Sequence, residues 1–510
     1  MVKTAAIILL IGLCVLGLVA LTNSMSKPIG HDEHMYCTAA ALMAEGKIIY
    51  KDFSYVGQLP YHPTICAGLY KVFNNCYFLL IARCFSAACD ILVIVLIAII
   101  FCILLKDVPV HSKLLGLGAA TLYVFNPIVD YANGFSWNHD FVTLCILLSF
   151  VLFITTDFQK EFKFWRIALI GVLLTLASWS RMTAAPIYIL FLIAIWNRFS
   201  GAKRDKIRFM MPFLAASMVI SVWPLVVFFM APKSFIINVF IIPIYNGEWQ
   251  RQLAGIQGSL QVIINTLTKP AYIILFALIL YFFITFRRLR KDLKQPKDGN
   301  FIFSIIIIFI LFIIVLIPPA MFEQYFARPA LFIIISLVFP FLHLNQRRKS
   351  RLVKRHFDIS CAVFAIAVTL TILFNTGIIK RLSIVSSPRR WTPIILHDIS
   401  EDIADKTKEP KRMLTLAPLY AIEGGGEIYP EFSAGPFVYR IGDYLKPKWL
   451  SAVTGTGVKG LDELVAESPP SAVILGTEPP GLEEPIYQAV VKEDWRMVNY
   501  PQNIVAYFKP

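Results

Sequence analysis

About eleven apolar blocks follow one another along this chain, and they leave little room for any architecture but a helical membrane bundle. They are Thr4–Leu21, Tyr77–Leu105, Lys113–Ile128, Phe141–Ile154, Arg166–Ser180, Ala184–Trp196, Met210–Met230, Pro270–Phe286, Phe301–Ile317, Pro329–Leu344 and Ile359–Ile379. A bilayer core is crossed by about 20 predominantly apolar residues. A spanning segment must satisfy its own backbone hydrogen bonds, which a helix does. Only 16% of the 510 residues are charged, against roughly a quarter in soluble domains. The expected fold class is a polytopic α-helical membrane protein.

The basic loops set the expected orientation. Arg198, Lys203, Arg204, Lys206 and Arg208 fall in one loop; Arg287, Arg288, Arg290, Lys291, Lys294 and Lys297 in a second; Arg347, Arg348, Lys349, Arg351, Lys354 and Arg355 in a third. With Lys3 placing the N-terminus in the cytoplasm, all three land inside, as the positive-inside rule requires. These runs therefore report topology, and nucleic acid is not an expected partner. Arg181 and Pro186 interrupt the stretch Arg166–Trp196. Two short helices meeting at Arg181 keep the later basic loops inside, whereas one broken helix would put them outside. An odd number of spans places the C-terminus outside the cytoplasm.

Three outer segments follow from this topology. The first, residues 23–76, is too apolar for disorder: Met35–Met43 and Pro63–Phe73 read as amphipathic helices lying in the interface. The second is Lys233–Lys269, with Pro243, Tyr245, Asn246, Glu248 and Trp249. The third is a tail, residues 380–510, which follows a membrane domain of residues 1–379. The tail carries 15 Lys and Arg against 17 Asp and Glu, so all of the positive excess behind the net charge of +15 lies in the membrane part. Met413–Leu416 and Ala472–Leu475 suit buried strands of a small α/β domain. The glycines at 424–426 and at 455 and 457 read as turns, because no GK[ST] follows to make a phosphate loop. Of nine cysteines, Cys37, Cys66 and Cys76 lie in the first outer loop, where a pair has the opportunity to cross-link.

Polar residues in or beside spans are the candidates for function. His31, Asp32, Glu33 and His34 follow the first span. Arg83 and Asp90 share nearly one face of the second, which suits either an anion site or a buried bridge between them. Asn138, His139 and Asp140 open the fourth, Arg181 ends the fifth, and Glu323, Gln324, Tyr325 and Arg328 precede the tenth. His62 and Lys51 lie in the first loop. All except Asp90 fall near one face of the membrane. Acids beside cations at one surface suit an anionic substrate, with the cations holding the anion and a carboxylate accepting a proton.

The order of features is one helix, the acidic pair Asp32-Glu33, the segment Glu45-Gly46-Lys47-Ile48-Ile49-Tyr50-Lys51-Asp52, a proline-containing loop and an Arg-bearing helix. Over roughly residues 1–345 this resembles the GT-C class of membrane glycosyltransferases, in particular the protein O-mannosyltransferase and lipid A aminoarabinose transferase group, glycosyltransferase family 39. The resemblance implies that Asp32 is the catalytic base with Glu33 as its neighbour. Asp140 matches a second acidic position. Arg181 stands where the family has a lysine that holds the lipid phosphate, a departure that keeps the charge. Tyr325 matches a tyrosine before the tenth span, and His62 a Lys or His near the first-loop proline.

The implied reaction moves one sugar from a polyprenyl-phosphate donor to an acceptor hydroxyl of a glycolipid, polysaccharide or protein, on the outer face and with inversion. Asp32 would deprotonate the acceptor, while Arg181, His62 and Arg83 would neutralise the leaving phosphate. His31, Asp32, Glu33 and His34 are metal-binding residue types, but neighbours in one helix or strand rarely converge on one ion. No metal site is assigned, and a divalent metal is left open. The expected location is a bacterial inner membrane. A secondary transporter is the competing class, although no internal repeat or paired broken helices support it. A ligase or polymerase using a polyprenyl-diphosphate glycan keeps the enzyme and changes the donor.

Overall fold

The structure is a computed structural model that describes residues 1–158, 164–199, 202–253, 259–289, 298–318 and 321–510. Each of the eleven expected spans is helical. The first ten helices are α1 (Val2–Ser26), α2 (His31–Ala44), α3 (Tyr61–Phe73), α4 (Phe78–Leu104), α5 (Pro109–Val124), α6 (Pro127–Ala132), α7 (His139–Ile154), α8 (Phe164–Ser178), α9 (Ala185–Arg198) and α10 (Lys203–Met230). Four more spans follow. Three are the helices Pro270–Arg288, Gly299–Val315 and Arg351–Phe374; the other runs from Glu323 to Gln346 with a break at Leu337. Among the described residues, six helices are long and apolar enough to cross a membrane, and four shorter apolar ones lie beside them. The chain is an integral multi-pass membrane protein.

The helices alternate in direction, and this sorts their ends. α8 and α9 meet at Arg181 through a single 3-10 turn, as the two-helix reading requires. α7 begins at that end with His139, and the helix Gly299–Val315 finishes there. The described basic residues of the three loops sit at the opposite end, where Arg198 reaches Asn300 at 2.7 Å. Arg290, Lys291, Lys294 and Lys297 lie outside the described residues. Small residues allow the tightest crossings. A Cβ on Gly171 of α8 would lie 2.5 Å from the Phe213 carbonyl of α10.

The first long connection departs from expectation. α2 is not a surface helix in the interface. Residues 33–41 are all buried, between α3, α4 and the tail helix Pro418–Glu423. Its apolar side chains Cys37, Ala40 and Ala41 share one core with Leu396, Ile403 and Tyr420 of the tail. No disulfide forms: all nine cysteines are free, with the Cys37 thiol 3.2 Å from the Ser136 hydroxyl.

The tail contains a five-stranded sheet of β1 (Arg412–Thr415), β2 (Glu427–Ile428), β3 (Ala472–Leu475), β4 (Arg496–Asn499) and β5 (Val505–Phe508), in the order β2-β1-β3-β5-β4. β1 runs parallel to β2 and β3, while β5 pairs antiparallel with β3 and β4. β1 and β3 are almost wholly buried, which is why they read as short apolar runs without alternation. Ser54 bonds the Thr454 carbonyl at 2.6 Å and Asn246 bonds the Phe437 carbonyl at 2.7 Å. Both of these connecting segments of the membrane part therefore grip the tail.

Candidate active site

The acidic pair at the start of α2 is split by geometry. Consecutive helix residues point about 100° apart, so Asp32 and Glu33 face different surroundings. Glu33 faces inward and is saturated. It accepts the Gly30 N–H (2.8 Å), the Ser136 N–H (2.7 Å) and both sides of the Arg83 guanidinium (2.9 and 2.6 Å). These partners hold its carboxyl below the usual carboxylate range despite complete burial. Arg83 spends its remaining donors on the carbonyls of Ser24, Lys27 and Pro28. All five of its N–H groups are used, so Arg83 has none left for a phosphate. It does not bridge Asp90 either, because Asp90 accepts from Tyr123 (2.9 Å) and Asn133 (2.6 Å). Glu33 and Arg83 anchor α2 to α1 and α4, which corrects their expected roles at the reaction centre.

Asp32 is half-buried and has no such saturation. Burial pushes its carboxyl up from the usual range, while His31, Arg181 and Arg440 pull it part of the way back. A carboxylate moved toward neutral pH, with cations around it, is suited to general-base work.

Near it, on the side of Arg181, lies a partly open cleft lined by His139, Arg181, Thr183, Tyr325 and Arg328, with an apolar wall that includes Leu311 and Val315. The Arg181 guanidinium lies over the Tyr325 ring, 5.3 Å from its centroid. Arg328 is buried, gives its Nε–H to the Thr143 hydroxyl at 3.2 Å, and has no partner for Nη2 among the described residues. A buried guanidinium with a spare donor is costly unless an anion meets it. Arg181, Arg328, Tyr325 and His139 are thus brought together with Asp32 from four distant stretches of sequence.

Other expected residues lie elsewhere. Asp140 accepts the Gly134 N–H at 2.9 Å and sits beneath the loop entering α7. Gly134 is needed there: its φ is +86°, and a Cβ would lie 3.0 Å from the Ser24 backbone. Asn138 bridges Gln58 and the Ser180 carbonyl, both at 2.8 Å, and so braces the cavity's edge. His62 is buried against Tyr36 and Phe85. Burial lowers its pKa to about 3, so it is a neutral ring and not a cation for phosphate. His34 is likewise lowered to about 3 by burial and packs on Tyr420. The four residues 31–34 point in separate directions, and among the described residues no three or more His, Cys, Asp or Glu side chains form a group able to hold a metal.

Two contributors were not foreseen. Tyr36 lies one turn beyond Asp32 on the same face of α2, within reach of the charges on Arg181 and Asp32. The i, i+4 spacing was available in the sequence to find it. Arg440 comes from the tail, and its side chain is only 7% exposed. No local pattern marks a lone arginine more than 400 residues from Asp32.

No protein-family model and no curated protein matches this chain. Solved structures match it by shape. ArnT from Cupriavidus metallidurans in the apo state aligns with a TM-score of 0.60 at 11% identity, covering 99% of this chain and 98% of that one. The same protein bound to undecaprenyl phosphate gives 0.56 at 12%, covering 98% and 97%. The apo Archaeoglobus fulgidus oligosaccharyltransferase gives 0.51 at 12%, covering 98% of this chain and 74% of that one. The fold is the GT-C fold of these membrane glycosyltransferases.

Proposed function

From the fold shared with ArnT, we propose that this chain transfers a single sugar from a polyprenyl-phosphate donor to an acceptor hydroxyl at the membrane face covered by the tail. The observation that carries the reading is the pair of guanidiniums, Arg181 and Arg328, lining a cleft near a half-buried carboxylate, Asp32. The relative bound to undecaprenyl phosphate supports the donor class.

In this mechanism the acceptor hydroxyl gives its proton to Asp32 as its oxygen attacks the anomeric carbon. The bond from that carbon to the phosphate oxygen breaks, and the electron pair leaves with the polyprenyl phosphate. Arg181 and the spare donor of Arg328 take up the charge that grows on the leaving phosphate. The apolar wall around Leu311 and Val315 accommodates the first prenyl units. Attack opposite the leaving phosphate inverts the anomeric centre. Tyr325, held under Arg181, and neutral polar groups such as Thr183 orient the sugar. No step in this scheme requires His62, Glu33 or Arg83 to touch substrate.

The test uses purified protein in nanodiscs, a panel of radiolabelled polyprenyl-phosphate sugars, and acceptor-rich membrane extract. Wild type should release sugar from one donor. Asp32→Asn should slow release by roughly 10²–10⁴-fold, the usual contribution of a positioned base, with donor binding retained. Donor binding without release in wild type, or an undiminished rate in Asp32→Asn, would sink the assignment.

A further inference from the structure

The tail does more than cover α2. The loop after β3 presents Glu478, whose side chain is 5% exposed, to the ring of His31 at 2.8 Å. The same carboxylate meets the Arg440 guanidinium at 3.5 Å. The loop is tightly determined. Glu483 accepts the N–H groups of Gly476 (2.7 Å), Thr477 (3.0 Å) and Glu478 (2.9 Å). Arg440 is fixed as well, lying over the rings of Trp249 and Phe437 at 4.9 and 5.1 Å. His31 immediately precedes Asp32 in the first turn of α2.

We propose that Arg440 and Glu478 are positioning residues for Asp32: Glu478 clamps the turn of α2 that carries Asp32, and Arg440 supplies a cation to its carboxylate, so the docked tail poises the base. The inference rests on Asp32 acting as the base of the proposed transfer. The charged and titratable groups that face Asp32 are His31 and Glu33 from its own helix, Arg181 from the end of α8, and Arg440 from the tail. Tyr36, Tyr55, Tyr131 and Tyr325 also stand within reach of its charge. Of these, only Arg440 belongs to the tail. The hydrogen bond to Glu478 holds His31 protonated to higher pH than an ordinary imidazole, which adds a second cation at Asp32. Losing Arg440 removes a cation and leaves Asp32 harder to ionise, whereas losing Glu478 frees the turn that carries Asp32.

The experiment compares full-length wild type, Arg440→Gln, Arg440→Lys and Glu478→Gln in nanodiscs by two readouts. One is the pH profile of sugar transfer. The other needs no donor: carbodiimide coupling of an amine to Asp32, which requires the protonated carboxyl, followed across pH by peptide mass spectrometry. Arg440→Gln should move the acid limb and the labelling midpoint up together by roughly half to one pH unit. Arg440→Lys should leave both near wild type, and Glu478→Gln, which removes an anion and keeps Arg440 and His31, should lower the rate without moving either upward. In Arg440→Gln, a uniform loss of rate with an unmoved limb and midpoint would reduce the residue to a structural support and overturn the proposal, as would a Glu478→Gln variant that transfers at the wild-type rate. A midpoint that moves while wild type transfers from no donor would instead overturn the base role of Asp32, a distinguishable failure.

Discussion

At the scale of single residues, adjacency in sequence says little about role. Asp32 and Glu33 are neighbours of the same charge, yet one is unsaturated near Arg181 of the cavity and Arg440 of the tail and the other is locked by four hydrogen bonds. The Glu33–Arg83 pair is fully buried, and removing one partner of such a pair strands the other charge in a low-dielectric interior. Arg83→Met should cost about 3–5 kcal/mol by that argument, read as a lower Tm in detergent-solubilised protein. The double variant Glu33→Gln/Arg83→Met should recover part of the loss, because no net charge is then left stranded. A single variant as stable as wild type would mean that the pair does not hold α2. Glu33 also gives a pH dependence. Its carboxyl is held low in the fold, so its stabilising contribution is present above the ordinary Glu range and disappears as pH falls through its depressed value.

At the scale of elements, the seam between the tail and the start of α4 has its own titration. Glu423 ends a tail helix, accepts the Leu79 N–H at 3.4 Å, and is pushed up to about 7 by burial. His397 lies 3.6 Å from its other oxygen and stacks on Tyr77 with ring centroids 3.8 Å apart. The Glu423 carboxylate beside it raises the imidazole as well. The two behave as one coupled pair that keeps a proton to higher pH than the unfolded chain does. Groups raised in the fold stabilise fully below their unfolded values and lose that stabilisation as pH rises through the folded ones. The seam should therefore be tightest below about pH 4.5, the ordinary Glu value, and should loosen as pH climbs through about 7. Thermal unfolding at pH 6 and pH 8.5 checks this. Glu423→Gln should flatten the slope between those two points, and an unchanged slope would show that the pair does not control docking. Close helix crossings make a second expectation. Gly171→Val pushes side-chain atoms into the Phe213 backbone of α10 and should destabilise by roughly 1–3 kcal/mol or more, as overpacking does.

At the scale of the whole molecule, the alternation of the eleven spans puts the tail, α2 and the cavity at one end and the basic loops at the other. The proposed orientation places the tail end outside the cytoplasm. Cys76 is exposed at the tail end, between α3 and α4. In a variant retaining only that cysteine, a membrane-impermeant maleimide should label intact cells. With Cys76 also removed and Ser350→Cys introduced between the last two spans, labelling should require permeabilised cells. The opposite pattern would invert the molecule and move the proposed reaction to the cytoplasmic face. The same architecture makes the tail part of the site. It closes over α2, shares that helix's apolar core, and brings Arg440 and Glu478 to its first turn.

The membrane bundle was legible in the linear sequence because hydrophobic runs answer to a solvent of fixed thickness, a constraint acting on each segment by itself. The hinge at Arg181 and the strands at 412–415 and 472–475 were legible for similarly local reasons: an interrupted apolar run, and short apolar runs that only a buried strand accommodates. The end of the molecule holding the polar residues followed from counting spans. Tertiary packing alone decided which of those residues meet. It turned Glu33 and Arg83 into a strut, buried His62 as a neutral ring, and put Asp140 beneath a loop. It also drew Arg181, Tyr325 and Arg328 around one cavity. Arg440 and Glu478 come from a segment with no local signature at all. Ionisable groups take their chemistry from the partners and burial that surround them in space, and in a chain folded back on itself across eleven spans those partners lie tens to hundreds of residues away.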